Sequence, residues 1–183
     1  NFVLEGGSIH VDGEGTLLTT RMCLLSAGRN PHMTKQEIES RLCEYLGVTK
    51  VLWLRDGIDP DETNGHIDDV ACFVAPGEVA CAYTDNPKHP FYDALQKAYT
   101  DLCGMTDAKG RPLKVHKICC PEETVRIGDF NIRAVNGSKA RNEGDICIAS
   151  YINFLIVNGG VIVPQYGDVN DALALRQLQE IFP

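Results

Sequence analysis

One order of elements recurs along this chain, and it limits the available folds more than any single motif does. Residues 2–11 and 15–22 are strand-like apolar runs joined by Asp12-Gly13-Glu14-Gly15, a hairpin signal. Thr34 stands where it can cap a helix over 35–45. Glu37, three residues on, completes a capping box, Ile38, Leu42 and Leu46 share one face, and Gly47 is the stop. Lys50–Leu54 then reads as a short closing strand. The same order returns as strands at 67–75 and Glu78–Tyr83, a helix over 90–103 and a strand at 113–120. It begins a third time with strands at 148–157 and 161–166 and a helix over 170–181, and the sequence stops at Phe182-Pro183, where a closing strand belongs. A ββαβ unit cannot cover its own apolar faces, so such units stack, often in a ring. Two full units and most of a third predict an α/β fold with units at 1–56, 57–121 and 146–183. They predict an internal piece of a longer protein. The polar stretch 121–145 lies between units two and three, and a loop of that length is either a functional lid or disordered.

The stretch Asp61-Glu-Thr-Asn-Gly-His-Ile-Asp-Asp69 packs four acids, an imidazole and an amide ahead of the apolar run 70–74. Read as a polar loop entering a strand, it puts His66 and Asp68 on one face about 7 Å apart. An imidazole beside a carboxylate can move a proton and hold a cation. An acidic surface turn around Asn64-Gly65 is the plainer alternative. Glu5-Gly6-Gly7 is a second anomaly. A carboxylate in an apolar strand start is costly without a partner, and the glycines permit a bulge or a close approach. Glu5 opens unit one, His66 and Asp68 open unit two, and Asn153 opens unit three. In a ring of units, equivalent positions converge, so the four residues are candidates for one pocket. Two carboxylates and a histidine suit a guanidinium or amidinium substrate, held by the acids while the imidazole protonates a departing amine. Such chemistry also needs a nucleophile.

The composition is that of an ordinary globular chain, 183 residues with 44% hydrophobic and 23% charged side chains. Its net charge of −8 argues against nucleic acid or an anionic membrane as partner and is compatible with a cationic small molecule. No apolar run reaches the ~18 residues of a membrane span. The eight cysteines sit mostly in apolar runs without a CxxC pair, which predicts reduced core thiols in a cytoplasmic protein and no zinc site. His10 and His32 read as structural, His89 and His116 as surface or strand residues, and Trp53 as core.

Several blocks together carry a resemblance. They are Phe2-Val-Leu-Glu-Gly-Gly-Ser-Ile-His-Val-Asp-Gly-Glu-Gly-Thr16, Asn30-Pro-His32, Asp61-Glu-Thr-Asn-Gly-His-Ile-Asp68, Ser150-Tyr-Ile-Asn-Phe154, Asn158-Gly-Gly160 and Pro164-Gln-Tyr-Gly-Asp168. In this order they resemble the agmatine deiminase family, a branch of the guanidino-modifying superfamily that also holds the bacterial-type peptidylarginine deiminases. The resemblance covers nearly the whole chain and weakens over 122–144. It implies a pentein-type α/β propeller of five ββαβ units. It implies hydrolysis of agmatine to N-carbamoylputrescine and ammonia through a cysteine thiouronium intermediate, a step toward putrescine, with no metal or organic cofactor. By the same resemblance His66 is the general acid/base, Glu5 assists it and Asp68 binds the guanidinium. The family's nucleophile lies in a Gly-Gly-Gly-Asn-Ile-His-Cys segment that none of the eight cysteines matches, so the 183 residues alone are expected to be inactive. A homo-oligomer is compatible with this reading. Three rivals stay on the page: a deiminase of free or peptidyl arginine, a non-catalytic relative, and an iron site built from His66, Asp68 and His116.

Overall fold

The computed structural model describes residues 1–58, 63–128 and 142–182. Unit one holds β1 (Ile9–Val11), β2 (Thr16–Thr20), the one-turn helix α1 (Arg21–Leu24), α2 (Lys35–Leu46) and β3 (Lys50–Leu54). Unit two holds β4 (Ala71–Ala75), β5 (Glu78–Tyr83), α3 (Tyr92–Cys103) and β6 (Lys114–Cys119). Then come β7 (Leu155–Val157), β8 (Gly160–Ile162) and α4 (Asp171–Ile181). Each three-stranded sheet pairs its first two strands antiparallel and its second and third parallel, with the helix as the crossover. In the last sheet β7 pairs antiparallel with β8. The small α/β sheets thus repeat the order read from the sequence.

The middle strands are the best-specified pieces. Every residue of β2 is buried, and its alternation sends Leu17 into a core with Leu24, Ile38, Leu42 and Trp53, while Leu18 joins the larger core around β4, β5 and α3. Each such leucine contributes about 2 kcal/mol by leaving water. The β2 threonines latch three loops. Thr16 Oγ1 accepts from the Ala108 amide (3.0 Å), Thr19 Oγ1 donates to the Ser8 carbonyl (2.7 Å) and Thr20 Oγ1 donates to the Gly65 carbonyl (2.6 Å). α2 starts at the expected capping box, with the Thr34 side chain accepting from the Glu37 amide and Glu37 reaching back to the Thr34 amide. It stops at Gly47, which takes the left-handed conformation (φ 66°). Trp53 is buried, and its Nε1 donates to Glu39 (2.6 Å).

The expected first strands are too long, and the reason is the same in each unit. Residues 2–8 do not extend the first strand: Gly6–Ser8 is a 3-10 turn closed by the Ser8 amide and hydroxyl on the Glu5 carbonyl (3.1 and 2.6 Å). Residues 67–69 form another such turn, Ile67–Asp69, closed by the Val70 amide on the Ile67 carbonyl (2.9 Å). Ser150 opens a third, accepting from the Asn153 amide (3.2 Å), so β7 begins only at Leu155. Local hydrogen bonds outcompete the sheet ladder at all three openings. At the far end of β2, Thr20 accepts from the Cys23 amide (3.1 Å) and turns the last residues of the expected strand into α1. His89 is buried, not at the surface; its Nδ1 accepts from the Phe91 amide (3.2 Å), and burial pushes its pKa down.

All eight cysteines are unbridged. Burial pushes the Cys72 and Cys120 thiols up to about 12, pushes Cys81 higher still and raises half-buried Cys119 to about 11. A disulfide-exchange reagent at pH 8 is therefore expected to modify exposed Cys103 within minutes and to leave Cys72, Cys81 and Cys120 intact until the protein unfolds. Peptide mass mapping after brief labelling checks this, and prompt labelling of the three buried thiols would contradict it.

Candidate functional site

The three opening turns carry the polar residues singled out above, and the fold brings the first two together. Gly6–Ser8 packs on Ile67–Asp69, and His10 Nδ1 accepts from the Phe73 amide (3.1 Å), tying β1 to β4. Desolvation lowers the His10 pKa, which suits that structural role. Between units two and three, the Ser150 hydroxyl donates to the Asp69 carbonyl (2.9 Å) and the Cys72 thiol points at the Ile152 carbonyl (3.8 Å). Consecutive units therefore meet at their openings.

His66 is aimed by a tight reversal. Asn64 and Gly65 both have positive φ (60° and 73°), and Ile67 is fully buried just beyond. Gly65 sits back to back with Gly57: a Cβ on Gly57 would lie 2.3 Å from the Gly65 Cα. His66 and Asp68 lie on a turn, not on alternate positions of a strand, yet both side chains reach the same glycine. A Cβ on Gly7 would stand 2.4 Å from Asp68 Oδ2 and 2.6 Å from His66 Nδ1. On the other side of the ring, His66 Nε2 is 3.3 Å from Glu5 Oε2. Glu5, His66 and Asp68 are thus gathered around Gly7, whose missing side chain leaves room for them. Asn153 is exposed, and its Nδ2 donates to Asp69 Oδ1 (3.1 Å), one residue beyond Asp68. Asp61 and Glu62 lie outside the described residues.

Arg29 is the partner that sequence reasoning missed. Its Nε and Nη2 both donate to the Glu5 carboxylate, Nη2 at 3.1 Å from Oε1, and Nη2 also donates to the Thr63 carbonyl (2.5 Å). The Arg29 guanidinium is the main reason the Glu5 carboxyl is held below the usual carboxylate range; partial burial opposes the shift and His66 adds to it. The only sequence signal for this pair was the cost of leaving Glu5 without a counter-charge.

Among the described residues, Glu5, Cys23 and His66 are the one His/Cys/Asp/Glu group that could share a metal ion, with ligand atoms all within 4.8 Å of one another. A guanidinium already bonded to both Glu5 oxygens opposes a second cation there. The iron triad considered above does not assemble: His116 on β6 is engaged by Glu78 across the sheet (2.7 Å). No helix among the described residues is long and apolar enough to cross a membrane.

The family model for Porphyromonas-type peptidyl-arginine deiminases matches residues 1–183. A solved agmatine deiminase of Enterococcus faecalis superposes with a TM-score of 0.96 at 68% identity, covering 100% of this chain and 50% of its own. A Lactococcus lactis protein provisionally named an agmatine deiminase is 68% identical over 184 residues, and the agmatine deiminase of Pseudomonas fluorescens 50% identical over 184. Each alignment covers 100% of this chain and 50% of the relative, so the chain spans half the length of the curated relatives it matches.

Proposed function

Because this chain belongs to the Porphyromonas-type peptidyl-arginine deiminase family, we propose that the full-length protein hydrolyses agmatine to N-carbamoylputrescine and ammonia. The observation that carries the reading is the grouping of His66, Asp68 and Glu5 around Gly7. Asp68 offers a carboxylate to the planar cation, and its neighbour His66 can give a proton to the departing ammonia and take one from the resolving water. The attacking thiolate forms a bond to the guanidinium carbon, ammonia leaves, and water displaces the thiol to give the ureido product. That cysteine comes from residues outside these 183. Cys72, Cys81 and Cys120 are too deeply buried and too weakly acidic to serve. Asn153, on Asp69, is a candidate for the substrate-binding rim.

In this reading the three units, 1–56, 57–121 and 146–183, are part of a single pentein-type propeller, and their openings line its axis. The protein works in the cytoplasm on a small guanidino cation, without nucleic acid, membrane, metal or organic cofactor, and it can assemble with copies of itself. Agmatine is preferred to arginine because relatives and a structure bearing the agmatine name reach 68% identity, against 37% for a Porphyromonas gingivalis structure provisionally named an arginine deiminase. The test is ammonia release by the purified full-length protein from agmatine, free arginine and a peptidyl-arginine. Agmatine is expected to be the best substrate by at least about 100-fold, the discrimination available when the carboxylate of arginine would be buried without a counter-charge. Equal rates on arginine would overturn the substrate assignment.

A further inference from the structure

We infer that Arg29 is the positioning residue of this site: it fixes the Glu5 carboxylate against His66, and so leaves Asp68 as the carboxylate that grips the substrate. The inference rests on the catalytic reading given above and adds a residue to it. The segment before Gly6 has no secondary structure of its own. Two adjacent residues hold it from below. Buried Asn30 mimics a neighbouring strand, its Oδ1 accepting from the Val3 amide (2.9 Å) and its Nδ2 donating to the Val3 carbonyl (3.0 Å). Arg29 then takes Glu5 two residues later with two nitrogens, a planar fork that fixes both position and orientation. The same guanidinium reaches the Thr63 carbonyl (2.5 Å) at the base of the reversal that carries His66. One side chain, 10% exposed, therefore ties the Glu5 segment to the His66 loop.

The consequence for the chemistry is a division of labour between the two acids. Both Glu5 oxygens accept from Arg29, so Glu5 cannot also receive a substrate guanidinium through a bidentate fork. What its Oε2 still does is face His66 Nε2 at 3.3 Å, which orients the imidazole toward the departing amine. The groups that face Glu5 are Arg29 from the loop after α1, Cys23 from α1 itself (Sγ 3.9 Å from Oε2) and His66 from the opposite turn. Arg29 holds the Glu5 carboxyl below the usual carboxylate range. Without it the Glu5 charge is lost as pH falls through a higher value, so the acid limb of the rate profile moves up.

The experiment compares full-length wild-type protein with Arg29→Met and Arg29→Lys. Arg29→Met is expected to lose roughly 10- to 100-fold in kcat, with KM for agmatine changed by less than about threefold, because an interaction made to the catalytic pair and not to the substrate is removed. The acid limb of kcat should shift to higher pH, and Arg29→Lys should recover the limb but only part of kcat, since a point charge replaces a fork. An unchanged kcat and pH profile, or a loss confined to KM, would overturn the assignment. A crystal structure of folded Arg29→Met gives a readout independent of turnover. The Glu5 carboxylate should leave its place beside His66; if it stays, Arg29 does not position it. Absence of activity in the wild type would count against the proposed function, while the crystallographic arm still decides the role of Arg29.

Discussion

For the proposed hydrolysis of agmatine, replacing His66 by Gln in the full-length protein is expected to lower kcat by about 10²- to 10⁴-fold, the usual contribution of a positioned general acid/base. Glutamine keeps the size and the hydrogen-bonding capacity of the side chain but cannot carry a proton from one group to another. Binding should survive, because the carboxylate of Asp68 remains. The same variant should therefore retain KM for agmatine within a few-fold while losing kcat, a pattern readable in steady-state ammonia release. The site argues for this residue strongly. Among the described residues His66 faces two carboxylates, Glu5 at 3.3 Å and Asp68 across the Gly7 gap. By contrast, His10, His89 and His116 are engaged by Phe73, Phe91 and Glu78 respectively. If the variant kept most of its kcat, the proton-transfer role would have to be reassigned.

The second large effect is expected from a single methyl group. Gly7→Ala would place a Cβ 2.4 Å from Asp68 Oδ2 and 2.6 Å from His66 Nδ1, distances that side chains do not tolerate. Gly7 does not use a positive φ, so alanine fits its backbone and the clash alone decides the outcome. Displacing catalytic groups by about 1 Å can cost about 100-fold, and a loss of at least that size in kcat/KM is expected. The neighbour provides the control. A Cβ on Gly6 meets nothing within 4 Å, so Gly6→Ala should behave nearly as wild type. Melting temperatures of the two variants would separate a displaced site from a lost fold. Equal activities would show that the turn relaxes around the methyl group.

The residues themselves show which parts of this arrangement could be read in advance. Lys50–Leu54 and Glu78–Tyr83 were legible to their ends because both are short, apolar and inserted between polar turns, a pattern that leaves little room for another structure. α2 was legible because Thr34, Glu37 and Gly47 specify its ends chemically. The first strand of each unit was misjudged because hydrophobic alternation ignores what Ser8, Ile67 and Ser150 do locally, which is to close turns on nearby backbone groups. The catalytic candidates lie on those turns. Glu5, His66 and Asp68 could be named from the cost of polar groups beside apolar runs, but not their arrangement around Gly7, which depends on two units packing together. Arg29 stayed hidden for the same reason. It is 24 residues from Glu5, in a Gly-Arg-Asn turn that follows no periodic pattern.

The last sheet has a practical meaning for anyone who handles this span of sequence by itself. β8 is paired on one side only among the described residues, whereas β2 and β5, its counterparts, are flanked on both. Leu155, Ile156, Val157 and Ile162 are exposed around that edge. An open, apolar strand edge is a template on which another chain can lay a strand. The position that would complete the ββαβ pattern is thus also the position where copies would recruit one another. Charges grafted onto β8, or a covering strand supplied in trans, would cap that edge.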